Sequence, residues 1–299
     1  MRTKAYPLDS LAPQSSKLMD YWALTKPRLL TMVLLSAALG FSLSPQAAEM
    51  WLLLNLLLGT ALVGAAAHAL NQWYERIPDG QMPRTRNRPL PAGRLGAEEA
   101  LRFGMILMVL GLLYLQLTVN SLTAIIGALT LASYVLLYTP LKQVTALNTW
   151  VGAVTGALPP LMGWAAAEGQ MTWQMLPIFA LLYFWQLPHF FAIAWAYRED
   201  YARGGFRMLS LDDERGTRTA RQILVNTLFM IVASFSFLWF EQASTFYIFS
   251  ASILGGGFLL SAVMFWKRPS VPQARYVFLA SIVYLPLLAT ALVVDNLFL

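Results

Sequence analysis

The sequence contains no cysteine, so it has no disulfide framework, no thiolate nucleophile and no cysteine-ligated metal. Any metal must be held by oxygen or imidazole, and imidazole is scarce, with two histidines in 299 residues. Charge is scarce too. Only 12% of residues are charged, against roughly 25% in soluble domains, and 58% are hydrophobic, which excludes a chain dissolved mainly in water. The apolar residues fall in runs long enough to cross a hydrocarbon core of about 30 Å, each needing roughly 20 residues of helix. The first 28 residues are polar and include Lys4, Lys17, Lys26 and Arg28. That stretch is too long for the n-region of a signal peptide, so the apolar run after it reads as a retained helix. The expected organisation is a polar cytoplasmic amino-terminal tail over residues 1–28 and one membrane domain over residues 29–299.

Breaking the chain at its polar clusters predicts spans near 29–44, 51–74, 100–119, 121–138, 147–167, 172–195, 222–240, 243–266 and 276–297. The predicted fold class is an all-α polytopic membrane protein of about nine transmembrane helices in a bundle. Connections such as Ser44 to Glu49, Val119 to Ser121, Glu168 to Gln170 and Glu241 to Ser244 carry no Lys or Arg. All 21 Lys and Arg lie in the tail, residues 76–102, Lys142, residues 198–221 and residues 267–275. The positive-inside rule then places the amino terminus and these loops in the cytoplasm and the carboxy terminus outside. The net charge of +6 needs no nucleic acid to explain it. Two loops hold more than orientation requires. Glu75 to Arg94 and Arg198 to Arg221 mix carboxylates among the cations, and acids contribute little to orientation.

In the first of these regions Asn71, Glu75 and Asp79 recur at intervals of four. On a helix that spacing lines oxygen ligands along one face, each about 6 Å from the next. Pro78 is expected to end or bend the helix before Asp79, so that this carboxylate folds back. Magnesium takes one or two carboxylates together with phosphate oxygens and water, which suits a sparse oxygen face. Arg76, Arg84 and Arg88 follow, and guanidinium groups grip phosphates bidentately. A solvated helix end would show the same spacing. Asn71 and His68, however, lie within the apolar span, where polar groups are costly and face a cavity or a partner.

The second region repeats part of this pattern: His189 precedes Asp200 by 11 residues, as His68 precedes Asp79. Pro188 frees a backbone carbonyl inside the span, and Arg203 follows Asp200. Between the two regions Lys142 is the one cation of its loop, placed for topology or for a phosphate. Pro159 and Pro160 must disturb the fifth span near its middle. Tyr134, Tyr138, Phe184, Trp185 and Phe190 offer aromatic faces to an allylic cation, although such residues also pack or line the membrane interface. The histidines could equally be neutral packing residues.

Several blocks in this order resemble the UbiA superfamily of intramembrane prenyltransferases, and within it the branch that prenylates haem. They are Asn71, Glu75, Arg76, Asp79, Met82, Arg84, Thr85, Arg88 and Pro89; Tyr138-Thr139, Leu141-Lys142, Thr145 and Asn148; Pro159-Pro160-Leu161 with Gly163-Trp164; and Pro188-His189-Phe190 with Asp200-Tyr201, Gly204 or Gly205, and Met208-Leu209. The likeness covers nearly all of residues 20–297. Glu75 stands where many relatives have Asp, and Gly204 stands where quinone-pathway relatives have a second Asp. Glu199 or Asp212-Asp213-Glu214 could make up that deficit.

The resemblance implies a bundle around a central cavity and transfer of farnesyl from farnesyl diphosphate to the vinyl group of haem B, with water added, giving haem O. It implies Mg2+ on Asn71, Glu75, Asp79 and Asp200, the same residues being catalytic. It implies diphosphate on Arg76, Arg84, Arg88, Lys142 and Arg203, and haem or prenyl contacts from His189, Tyr138, His68 and Phe190. A bacterial inner membrane is the implied setting, with haem A synthase or oxidase assembly proteins downstream and no nucleic acid as partner. An aromatic or quinone-precursor acceptor is the alternative within the superfamily. A secondary transporter is the alternative outside it, disfavoured because nine spans do not divide into matched halves.

The topology is directly testable, because cysteines introduced near Arg84, near Arg207 and at Asn120 would be the chain's only thiols. An impermeant thiol reagent added to intact cells is expected to label position 120 and to leave the other two unlabelled until the membrane is opened.

Overall fold

The computed structural model describes residues 16–46 and 49–296. The described chain is helical, with no strand: α1 (Lys17–Leu24), α2 (Pro27–Ser42), α3 (Met50–Gln81), α4 (Ala97–Thr118), α5 (Ser121–Ala132), α6 (Thr139–Val144) and α7 (Asn148–Gly156). It continues through α8 (Pro159–Glu168), α9 (Leu176–Ala196), α10 (Arg198–Arg203), α11 (Thr217–Phe235), α12 (Thr245–Lys267) and α13 (Val271–Asn296). Seven helical stretches among the described residues are long and apolar enough to cross a membrane. These contain α3, α4, α5 with α6, α9, α11, α12 and α13, and the pair α1 and α2, bent by 44°, makes an eighth. The protein is an integral, multi-pass membrane protein.

The all-α multi-pass bundle agrees with the sequence reading, and the disturbance expected of Pro159 and Pro160 in the fifth span is present as a full break. Residues 147–167 form no single helix. They form α7 and α8, each too short to cross alone. Pro159 and Pro160 occupy the first turn of α8, where missing amide hydrogens do no harm, but they cannot continue a helix from α7. The pair nevertheless connects opposite ends of the bundle. At the start of α7, Asn148 Nδ2 donates to the Arg207 carbonyl at 2.7 Å, inside a basic loop. At the end of α8, Asn120 Nδ2 donates to the Ala165 carbonyl at 2.9 Å and Ser44 Oγ donates to Glu168 at 2.6 Å. The expected polar tail is also helical from Lys17 onward. Residues 1–15 and 297–299, which hold the rest of that tail and the carboxy terminus, lie outside the described residues.

Two apolar cores hold the helices together. One gathers Trp164, Phe191, Phe237, Tyr247, Phe258 and Tyr284 from α8, α9, the 3-10 turn after α11, α12 and α13. The other gathers Leu56, Leu115, Ile126 and Met162 from α3, α4, α5 and α8. Their contact line is α2 against α8, where two glycines let the backbones meet. A β-carbon on Gly163 would lie 1.9 Å from the Ala37 carbonyl oxygen, and one on Gly40 would lie 1.9 Å from that of Pro160. Small residues are how membrane helices approach when lipid supplies no hydrophobic drive. Outward-facing side chains are large and apolar, including Trp51 and Leu117.

Gly163→Ala is therefore expected to force α2 and α8 apart and to destabilise the detergent-solubilised protein by about 1–3 kcal/mol. Gly257→Ala, where an added β-carbon meets nothing within 4 Å, serves as the control and is expected to leave the thermal midpoint unchanged or slightly raised.

Candidate active site

Asn71, Glu75 and Asp79 do share one face of α3, and all three are buried. Each is met by a group from another segment. Asn71 Oδ1 accepts from Lys26 Nζ at 2.7 Å, and its Nδ2 donates to Thr139 Oγ1 at 3.0 Å. Glu75 Oε1 takes Lys142 Nζ at 2.8 Å, with the ammonium also 4.4 Å from the centre of the Tyr138 ring. Asp79 Oδ2 takes Arg88 Nη1 at 2.6 Å. A buried carboxylate without such a partner would carry its full desolvation cost, so the three cationic segments and α3 require one another.

Local sequence explains how the cations reach α3. Helix α1 stops at Thr25, where its terminal carbonyls are capped from α3. His68 Nδ1 donates to the Thr25 carbonyl at 2.7 Å, and Gln72 Nε2 donates to the Leu24 carbonyl at 2.9 Å. Lys26 follows with φ +49°, a left-handed conformation uncommon outside glycine, and the next residue, Pro27, disfavours a helical Lys26. That local strain turns the lysine toward Asn71. Further on, Pro140 cannot donate to Leu136, and the helix widens into a π-helical turn over Ser133–Tyr138. The Tyr134 carbonyl then receives both the amide and the hydroxyl of Thr139. This sets Tyr138, Thr139 and Lys142 against the oxygen face.

Pro78 does not do what its chemistry suggests in isolation. Helix α3 runs through it to Gln81, so Asp79 stays on the helical face and does not fold back from a loop. The last turn is held from outside, since Thr85 Oγ1 donates to the Asp79 carbonyl at 2.7 Å and Arg88 holds the side chain. On a continuous helix Asn71 and Asp79 are about 12 Å apart along the axis. One ion therefore cannot be chelated directly by all three.

The loop after α9 comes to the same end of the bundle. The Arg84 guanidinium lies 5.6 Å and 5.8 Å from the ring centres of Tyr197 and Tyr201. Met82 packs with Ala194, Phe206 and Met208, and the Arg207 amide donates to the Lys142 carbonyl at 2.6 Å. Burial raises the Tyr201 phenol, so it stays a neutral partner for Arg84. The four expected ligands are not gathered, however. Among the described residues no three His, Asp or Glu side chains are placed to hold a metal ion. Asp200 is paired at 3.4 Å with Arg203, which is half exposed and also lies 3.8 Å from Glu199. Asp213 is committed to the start of α11, accepting from the Thr219 amide at 2.7 Å and its hydroxyl at 2.9 Å. Arg76 turns back on α3, donating to the Trp73 carbonyl at 2.7 Å.

His189 stands apart from the oxygen face, with all its partners on α9 and α13. Its Nδ1 lies 2.7 Å from Ser281 Oγ, and its ring lies between Trp185 and Phe278 with Phe190 at its edge. Sequence reading missed Lys26, which it assigned to topology. The signal was there: a cation directly before a proline, at the threshold of the first span.

One end of this membrane bundle thus gathers two buried carboxylates, an amide and cations from separate segments. The chain belongs to the UbiA prenyltransferase family, whose model matches residues 30–283. It is 43% identical over 287 residues to Protoheme IX farnesyltransferase of Solibacter usitatus, covering 93% of this chain and 98% of that one. It is 38% identical over 278 residues to the mitochondrial Protoheme IX farnesyltransferase of Arabidopsis thaliana, covering 92% of this chain and 64% of that one. The fold matches a solved digeranylgeranylglyceryl phosphate synthase with a TM-score of 0.80 at 17% identity, covering 95% and 99% of the two chains. It also matches a UbiA homolog from Archaeoglobus fulgidus bound to GPP and Mg2+, with a TM-score of 0.67 at 14% identity, covering 91% and 99%.

Lys142→Met would leave Glu75 buried without its cation, and about 3 kcal/mol of stability is expected to be lost in the substrate-free protein. Adding Glu75→Gln is expected to recover more than half of that loss, read from thermal unfolding of the single and double variants.

Proposed function

We propose that this protein transfers a farnesyl group from farnesyl diphosphate to the vinyl side chain of haem B, with addition of water, giving haem O and diphosphate. One observation carries the reading: the buried oxygen face and its cations occur in a chain 43% identical, over 93% of its length, to a Protoheme IX farnesyltransferase. Loss of diphosphate from an allylic carbon builds negative charge on the leaving group, and preorganised cations stabilise such charge most where water is excluded. Lys26, Lys142 and Arg88 are in place for this, with Arg84, Arg76 and Arg203 on the surrounding segments as further diphosphate ligands. Lys142 and Arg88 each engage one oxygen of a carboxylate. An arriving diphosphate draws these cations from Glu75 and Asp79 to its own oxygens.

The donor set fits a hard divalent cation, since Glu75 and Asp79 are buried oxygen donors and Asn71 adds a neutral one. Mg2+ would be held with the diphosphate by two neighbours on this face at a time, since the three cannot reach one ion together, and Asp200 would serve a second ion only on leaving Arg203. When bound, the ion supplies further neutralisation of the leaving group. The Tyr138 ring supports the allylic cation through its face. His189, His68 and Phe190 serve the haem and the prenyl chain. The basic end is cytoplasmic, the membrane is a bacterial inner membrane, and haem A synthase or oxidase assembly proteins take the product.

Purified protein supplied with haem B, farnesyl diphosphate and magnesium is expected to yield haem O by mass spectrometry. Unmodified haem, with a prenylated benzoate acceptor instead, would overturn the choice of acceptor. Asp79→Asn keeps shape but removes charge, and it is expected to lower turnover by about two orders of magnitude while the thermal midpoint stays close to the parent's. Near-parent turnover across magnesium concentrations would show that Asp79 is not a metal ligand.

A further inference from the structure

His189 is a polar ring within the α9 span, and its surroundings specify its chemistry more closely than packing requires. Ser281 of α13 is fully buried and has one hydroxyl hydrogen, which it donates to the Phe278 carbonyl at 2.6 Å. Toward His189 Nδ1, 2.7 Å away, the hydroxyl can therefore only accept. With the hydroxyl so oriented, Nδ1 carries the hydrogen and the neutral ring keeps its lone pair on Nε2. The ring plane is fixed as well. Trp185 lies 5.2 Å away at 24° and Phe278 lies 5.0 Å away at 32°, while Trp185 Nε1 donates to the Ser281 carbonyl at 2.9 Å. Nε2 makes no hydrogen bond among the described residues, and His189 keeps part of its surface exposed.

A phenylalanine would fill this place without bringing a polar ring into the apolar span. His68 presents a different case, because its Nδ1 caps α1 at Thr25 and the residue is buried. A histidine that ligates a metal through one nitrogen commonly donates its other ring N–H to an oxygen, which fixes the tautomer and raises ligand basicity. We infer that Ser281 is a positioning residue that holds His189 as the Nδ1–H tautomer, so that Nε2 serves as an axial ligand to the iron of the haem acceptor. This rests on the haem reading given above.

The test titrates haem B into the full-length protein in lipid nanodiscs and reads the Soret band and the iron–histidine stretch of the ferrous complex. The parent is expected to show that stretch, His189→Ala to lose it, and added imidazole to restore it. Ser281→Ala is expected to weaken haem binding about tenfold or more and to shift the stretch to lower frequency, while Ser281→Thr keeps both near the parent. A Ser281→Ala protein with parental affinity and an unshifted stretch would overturn the role of Ser281. A stretch that survives in His189→Ala would overturn the ligation itself. Haem O formation by the parent, followed in parallel by mass spectrometry, separates these outcomes from failure of the underlying reading. A parent that binds and prenylates no haem removes both.

Discussion

Two carboxylates and an amide on one face of a buried membrane helix can persist only if other parts of the chain neutralise them. Much of the architecture at the basic end of the bundle follows from this. The break between α1 and α2 exists where a lysine must turn toward Asn71, and the capping of α1 by His68 and Gln72 makes that break stable. The π-helical turn before α6 brings Thr139 and Lys142 to Asn71 and Glu75. The loop after α3 returns Arg88 and Thr85 to Asp79. Each irregularity would cost stability alone, and each is offset by an ion pair or hydrogen bond to the same helix face.

The two ends of the bundle are built differently for the same reason. At the basic end the buried carboxylates Glu75 and Asp79 meet Lys142 and Arg88, cations that lie on other segments. Among the described residues, the links at the opposite end are hydrogen bonds without an ion pair, and they too join distant segments. Ser44 holds Glu168, Asn120 holds the α8 terminus, and Asp295 accepts from both the amide and the hydroxyl of Ser244. One end is thus joined by hydrogen bonds and the other by buried ion pairs. The glycine contact between α2 and α8 ties the two apolar cores, so rearranging the basic end need not disturb the bundle's middle.

A second, smaller set of contacts surrounds the other intramembrane histidine. His189, Ser281, Trp185 and Phe278 form one unit across α9 and α13, separate from the oxygen face. Under the proposed reading, leaving-group chemistry and acceptor orientation fall on different segments, which suits a reaction between two large amphiphiles. Each can be held by its own polar end while their apolar parts meet between.

The sequence by itself determined the membrane class and most span positions, because twenty-residue apolar runs and segregated Lys and Arg reflect the bilayer and need no knowledge of packing. It also determined the Asn71, Glu75 and Asp79 face, since a spacing of four has a fixed meaning on any helix. Tertiary structure alone decided which cation meets which oxygen of the face, because Lys26, Arg88 and Lys142 are 45, 9 and 67 residues from their partners. It decided that α3 passes through Pro78, where one lost backbone bond is outweighed by Thr85 and Arg88 acting from outside. It also decided that residues 147–167 are two helices, that Asp213 caps α11, and that Asp200 faces Arg203. These outcomes depend on groups that local periodicity cannot see, because a side chain's partner is set by the three-dimensional path of the whole chain.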